Sequence, residues 1–215
     1  MFASIILAAM AATPYPTMAP LDQYLMSPSA EVALARSAAP ASVSANATVY
    51  VLTRDGYKIA AQGSDAFVCL VERGWDADPD NPNFWNPNVR GPDCFNAAAV
   101  RTYLPIILMR TDLVVAGKSK AQLAAAIASA FASKKLPSLE SGAMSYMLSP
   151  RQYLTDDKNH HWHPHLMFFV AGTDPTSWGG NLVGSPVFAA PDPLDGLTIF
   201  MVPVRRWSDG TADTG

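Results

Sequence analysis

Five consecutive apolar residues, Phe67-Val-Cys-Leu-Val71, constrain the fold more than any other stretch of the chain. Side chains along a strand alternate between the two faces of a sheet, so a strand that is apolar at every position must be covered on both. It belongs in the interior of a sheet with packing layers above and below it. With 215 residues and a hydrophobic content of 49%, the chain has enough apolar material to build such a core as a single domain.

The surroundings of that strand set the fold class. Upstream, Thr48-Val-Tyr-Val-Leu-Thr53 is β-rich, Asp55-Gly56 is a strong hairpin signal, and Tyr57-Lys-Ile-Ala60 returns. A break at Gly63-Ser-Asp65 then leads into Phe67, which predicts a three-strand meander. Downstream, a Pro- and Asn-rich connection runs from Trp75 to Asp93, long enough to be either functional or pinned by a staple. Asn96 can cap a helix beginning at Ala97, Pro105 either kinks it or starts a new segment toward Val115, and Gly117 stops it. Ser119-Lys-Ala-Gln122 is a capping box for a second helix running to about Ser133. Strands are expected at Met144–Leu148, Leu166–Val170, Val187–Ala189 and Leu197–Val204. Strands, two helices, then strands predict an α+β fold with a largely antiparallel mixed sheet and long loops.

Residues 1–12 form an apolar run ending in small residues and read as a signal peptide, although the segment lacks the usual early Lys or Arg. Residues 13–46, rich in Ala, Pro and Ser, read as a linker or N-terminal arm with a short helix across Glu31–Arg36. The globular domain is expected over 47–207 and a flexible tail over 208–215. No later stretch approaches ~20 uninterrupted apolar residues, so the mature chain is expected to have no membrane span. A secreted or periplasmic location follows from the leader. It makes Cys69 and Cys94 an expected disulfide, closing a loop of roughly 25 residues and contributing about 3 kcal/mol. The competing roles for the two thiols are a reduced buried pair or two metal ligands. Fifteen basic against eighteen acidic residues, a net charge of −3, give no field for nucleic acid or an anionic membrane surface.

All four histidines fall in one short segment: His160, His161, His163 and His165. Imidazole is the commonest protein metal ligand, so the clustering points to a divalent transition metal, Zn or Cu foremost. Along a regular strand, the Cα atoms of residues 161 and 165 would lie about 13 Å apart, so only neighbouring rings could converge without a bend. His163 and His165 are the expected pair, completed by His160, His161 or a carboxylate such as Asp156, Asp157 or Glu72. Hydrogen bonding without a metal, and metal-free acid/base work, are the competing roles. Asp76-x-Asp-x-Asp80 begins like a calcium loop but has Asn81 and Pro87 where Gly and Glu are needed. No Gly-x-Ser-x-Gly elbow accompanies Ser145, Ser149 or Ser177.

Five tryptophans sit in or beside polar, turn-rich segments. Trp85, Trp162 and Trp178 are candidate ligand platforms, because an indole offers an apolar face with a polar handle. A non-catalytic ligand-binding or envelope-interaction module, with a small molecule or a protein as partner, is the alternative to the metal reading. Neither specifies a reaction.

Overall fold

The computed structural model describes residues 14–157 and 159–214, and places the apolar strand where its pattern demands. Eight strands form one sheet: β1 (Thr48–Thr53), β2 (Gly56–Ala61), β3 (Val68–Glu72), β4 (Gly91–Phe95), β5 (Met144–Met147), β6 (His165–Ala171), β7 (Phe188–Asp192) and β8 (Leu197–Pro203). Their order is β2-β1-β3-β4-β5-β6-β8-β7, so β3 lies inside the sheet. Every pairing is antiparallel except β1 with β3. The fold is mixed α+β.

The meander expected at the start of the sheet is corrected by that one parallel pair. β2 exposes Lys58, Ile59 and Ala60, as an edge strand can, whereas β3 is buried from Val68 to Val71 and needs a neighbour on each side. The chain therefore leaves β2, crosses the start of β1, and adds β3 on β1's far side. Gly63 makes the crossing possible: a Cβ there would sit 2.3 Å from both the Asn46 carbonyl oxygen and the Thr48 nitrogen.

Alternation along the strands sorts the sheet into two faces. Val68, Leu70, Phe95, Met147, Met167 and Phe169 share one face with Leu104, Ile106, Ile107, Leu123 and Ile127. Those partners come from α4 (Leu104–Val115) and α5 (Lys120–Ala132), which follow α3 (Ala97–Thr102). Asn96 caps α3 by accepting from the Ala99 amide, Pro105 opens a new helix rather than kinking the old one, and the Ser119–Gln122 capping box is formed. On the other face Cys69, Val71 and Cys94 pack against Leu34 and Ala35. Cys69 and Cys94 are directly opposed across β3 and β4 and form a disulfide.

The segment expected as a linker is instead integral to the domain. α1 (Pro28–Arg36) and the short α2 (Ala41–Ser44) precede β1, and Glu31 and Tyr24 are both fully buried. Glu31 accepts from the Arg73 guanidinium at 2.7 Å and from the Leu52 amide at 3.1 Å, tying α1 to the turn that follows β3 and to β1. Composition misled here because Ala-rich helices can pack closely on a sheet: Ala35, Ala38 and Ala39 are buried to 3% or less. The expected tail is likewise partly ordered, with the Trp207 amide donating to Thr211 and the Asp213 amide to Arg205. Residues 1–12, expected as a signal peptide, lie outside the described residues. Among the described residues no helix is long and apolar enough to cross a membrane.

Candidate functional site

The helix-covered sheet face is not apolar throughout. Residue 72 continues the alternation of Val68 and Leu70, so the last residue of β3 brings a carboxyl to the inner face. Asp93 does the same from β4, opposite Leu70, and His165 from β6, opposite Met147. The chain then turns through Gly74–Asp76, a single 3-10 turn in which Asp76 accepts from the Arg73 amide at 2.8 Å. A Cβ on Gly74 would meet the Asn83 carbonyl oxygen at 2.2 Å, so only glycine lets the 74–84 loop fold back so tightly. Trp75 pins this turn to α4 by donating from Nε1 to the Thr111 hydroxyl at 3.0 Å.

Between that loop and the sheet lies a cavity of about 300 Å³, at the lower end of the usual range for small-molecule sites. Its polar lining includes Glu72, Asp76, Tyr103 and His165; Met147, Met167, Met201 and Ile199 supply an apolar wall. Trp162 also lines it, edge-on to His165 at 4.7 Å and to Phe188 at 5.1 Å.

The protonation states in this cavity are inverted from those in water. Burial pushes Glu72 well above the ordinary carboxylate range, reinforced by Asp93 and Asp76 and only partly opposed by Arg110. Burial likewise raises Asp76 to about 7, against the pull of the Arg73 amide and of Arg110, and raises Asp93 to about 8. His165 moves the other way, lowered by burial to about 4. Its Nδ1 donates to the His163 carbonyl at 2.7 Å, which leaves Nε2 as the acceptor side of a neutral ring. Carboxyl groups whose hold on a proton is strengthened thus share the region with an imidazole whose hold on a second proton is weakened. Such a site can exchange protons with a bound molecule.

Several of these acceptors lack donors. No described residue donates to the Glu72 carboxyl, and Oδ1 of both Asp76 and Asp93 is buried without a partner. The nearby guanidiniums are committed elsewhere. Arg73 donates to Glu31, to the Tyr24 carbonyl at 3.0 Å and to the Val71 carbonyl. Arg110 donates to Asp195 at 2.8 Å and to Asp192 at 3.4 Å.

The four histidines divide among separate surroundings. His160 adopts a left-handed backbone (φ 57°), stacks on Tyr153 at 4.5 Å and faces the Thr155 carbonyl. His161 lies edge-on to Trp207 with Nδ1 3.2 Å from the Trp162 carbonyl. His163 meets Asp213 at 2.6 Å and, with His161, lines a shallow hollow of about 140 Å³. His165 is buried in the cavity, away from that surface. Among the described residues, no group of three or more His, Cys, Asp or Glu side chains is arranged to hold a metal ion.

The tryptophans divide too. Trp85 is a core residue, 4.5 Å from Phe84 edge to face, and its carbonyl accepts from the Tyr24 hydroxyl, so it presents no platform. Trp178 is about half exposed and stacks on Phe200 beside an open hollow on the sheet's flank. Trp162 alone of the three reaches the carboxyl-bearing cavity. From the sequence alone Glu72 and Asp76 stand out only as candidate metal ligands, and Asp93, Tyr103 and the methionines do not stand out at all. Period-two alternation through Val68, Leu70 and Glu72 was the signal that could have found the cavity's floor. No protein-family model, curated protein or solved structure matches the chain.

Proposed function

We propose that this protein binds a small molecule in the cavity between the 73–91 loop and the helix-covered face of the sheet. One observation carries the reading: the Glu72 and Asp76 carboxyls line a cavity of ligand size with acceptor capacity that no described residue fills. Buried polar atoms without partners cost about 1–3 kcal/mol each, and native proteins keep few of them. The methionine wall suits an apolar body of adaptable shape, since Met side chains refit readily. The buried Cys69–Cys94 disulfide favours an oxidising compartment, and capture of a ligand outside the cell is the role that fits such a setting.

The test is a fragment screen by chemical-shift perturbation on methyl-labelled protein, read at Met147, Met167 and Met201. Shifts confined to those methyls and the Trp162 indole are expected for binders. Met167→Trp, which fills the cavity, should abolish them while leaving the far-ultraviolet spectrum intact. Binders that shift only surface residues would overturn the reading.

The histidine segment supports a second reading, a surface site for a divalent transition metal. The favouring observation is that His161 and His163 line one hollow together with Asp213. Titration with Zn or Cu should then raise the melting temperature by mass action, and His163→Ala should remove the effect. No stabilisation by either ion would dispose of it.

A further inference from the structure

Resting on the cavity reading above, we propose that the ligand is a small organic amine bound as its cation. Its ammonium group takes up open acceptor capacity of the Glu72 and Asp76 carboxyls, and its apolar body lies along Met147, Met167 and Met201.

The polar accounting selects the class. Acceptors dominate the cavity: two carboxyls with unfilled capacity and one imidazole Nε2. Tyr103 adds a hydroxyl to the lining, and the two carboxyls, once ionised by an arriving cation, only accept. A ligand that satisfies this wall must bring donors, and an ammonium group brings three N–H bonds on one atom where an alcohol brings one. A carboxylate or phosphate would bring only more acceptors.

Charge selects in the same direction. The groups that act on Glu72 are Asp93 from β4, Asp76 from the turn, Arg110 from α4, Tyr103 between α3 and α4 and Tyr57 from β2, while Arg73 and His165 line the same cavity. Both guanidiniums are already matched, Arg73 by Glu31 and Arg110 by Asp195 and Asp192. His165 is neutral. The three acids are therefore left without a cation of their own, which raises their hold on a proton. An arriving ammonium supplies that cation and favours ionisation of Glu72, whose O–H bond breaks as its proton passes to solvent, leaving a carboxylate paired with the ammonium. A bare metal ion fits less well, since the described His, Cys, Asp and Glu side chains do not close on a common point. A cavity of about 300 Å³ has room for an organic body behind the charge.

The linkage gives the inference a signature that simple burial would not. Below the raised pKa of Glu72, each proton released makes the affinity for a cation climb roughly tenfold per pH unit. Calorimetric titration of the full-length protein with hexylamine and benzylamine, between pH 6 and pH 8.5 and in two buffers of different ionisation heat, measures affinity and proton release together. Hexanol, benzyl alcohol, hexanoate and benzoate serve as neutral and anionic isosteres. The amines are expected to bind at least tenfold more tightly than either isostere set, releasing a proton and tightening as pH rises. Glu72→Gln, close in shape, should melt no lower than wild type yet lose most of that preference and the proton release. Binding of alcohols or carboxylates as tight as the amines would overturn the amine assignment and leave the cavity reading standing. Silence from all three classes, by heat and by the methionine methyl signals, would remove both.

Discussion

At the scale of single residues, the buried acids set how stability responds to pH. Asp93 is fully buried, accepts from Ser145 at 3.0 Å and is raised to about 8, mainly by burial. Unfolded, it would titrate near ~4. Between those values the folded chain holds a proton that the unfolded chain has lost, so Asp93's contribution is present below about pH 4 and is lost as pH rises through about 8. Glu72 and Asp76 act in the same direction. His165 opposes them: lowered to about 4, it contributes above its unfolded value and loses that contribution as pH falls through the folded one. Asp93→Asn, which can still accept from Ser145, is expected to gain about 2 kcal/mol over wild type at pH 8 and far less at pH 4. Urea denaturation at both pH values checks this, and an equal difference at the two would contradict it. None of these shifts can be read from residue types, because burial causes them and burial follows from tertiary structure.

At the scale of elements, much was legible and one pairing was not. Local chemistry fixes the helix starts: Asn96, Pro105 and the Ser119–Gln122 box each act within one turn of the chain, and all three appear where the sequence places them. The Asp55-Gly56 hairpin is equally local. β3's choice of neighbour is not, because β3 would run in the same direction beside β2 or beside β1. The exposed residues of β2 and the buried apolar run of β3 from Val68 to Val71 decide it, and Gly63 permits the crossing. Gly63→Ala should therefore cost roughly 2 kcal/mol or more, since the atoms its Cβ would strike are backbone and cannot rotate away. Across the next pairing, removing the disulfide with Cys69→Ala and Cys94→Ala releases a closure spanning 25 residues, expected to lower stability by about 3 kcal/mol. Denaturant midpoints report both. An unchanged midpoint for Gly63→Ala would mean that the crossing is not held as described.

At the scale of the whole molecule, the N-terminal arm, the long loop and the cavity form one mechanical unit. Tyr24 joins them. Its ring lies 4.8 Å from Trp75, its hydroxyl donates to the Trp85 carbonyl at 2.7 Å, and its own carbonyl accepts from Arg73 Nε. Arg73 and Gly74 also line the cavity, so a change at Tyr24 reaches the site through backbone rather than through a ligand contact. Sequence composition hid this, because Ala, Pro and Ser mark a linker only when nothing downstream offers them a surface. Tyr24→Phe, which loses the hydroxyl bonds alone, is expected to cost about 1 kcal/mol. Tyr24→Ala also empties a core site and is expected to cost about 3–5 kcal/mol. If the arm holds the loop in place, Tyr24→Ala should additionally speed amide exchange across residues 74–90 and weaken cavity binding, while exchange in β6 and β8 stays slow. Uniform acceleration throughout the sheet would instead mean that Tyr24 supports global stability only, and that the cavity's shape is independent of the arm.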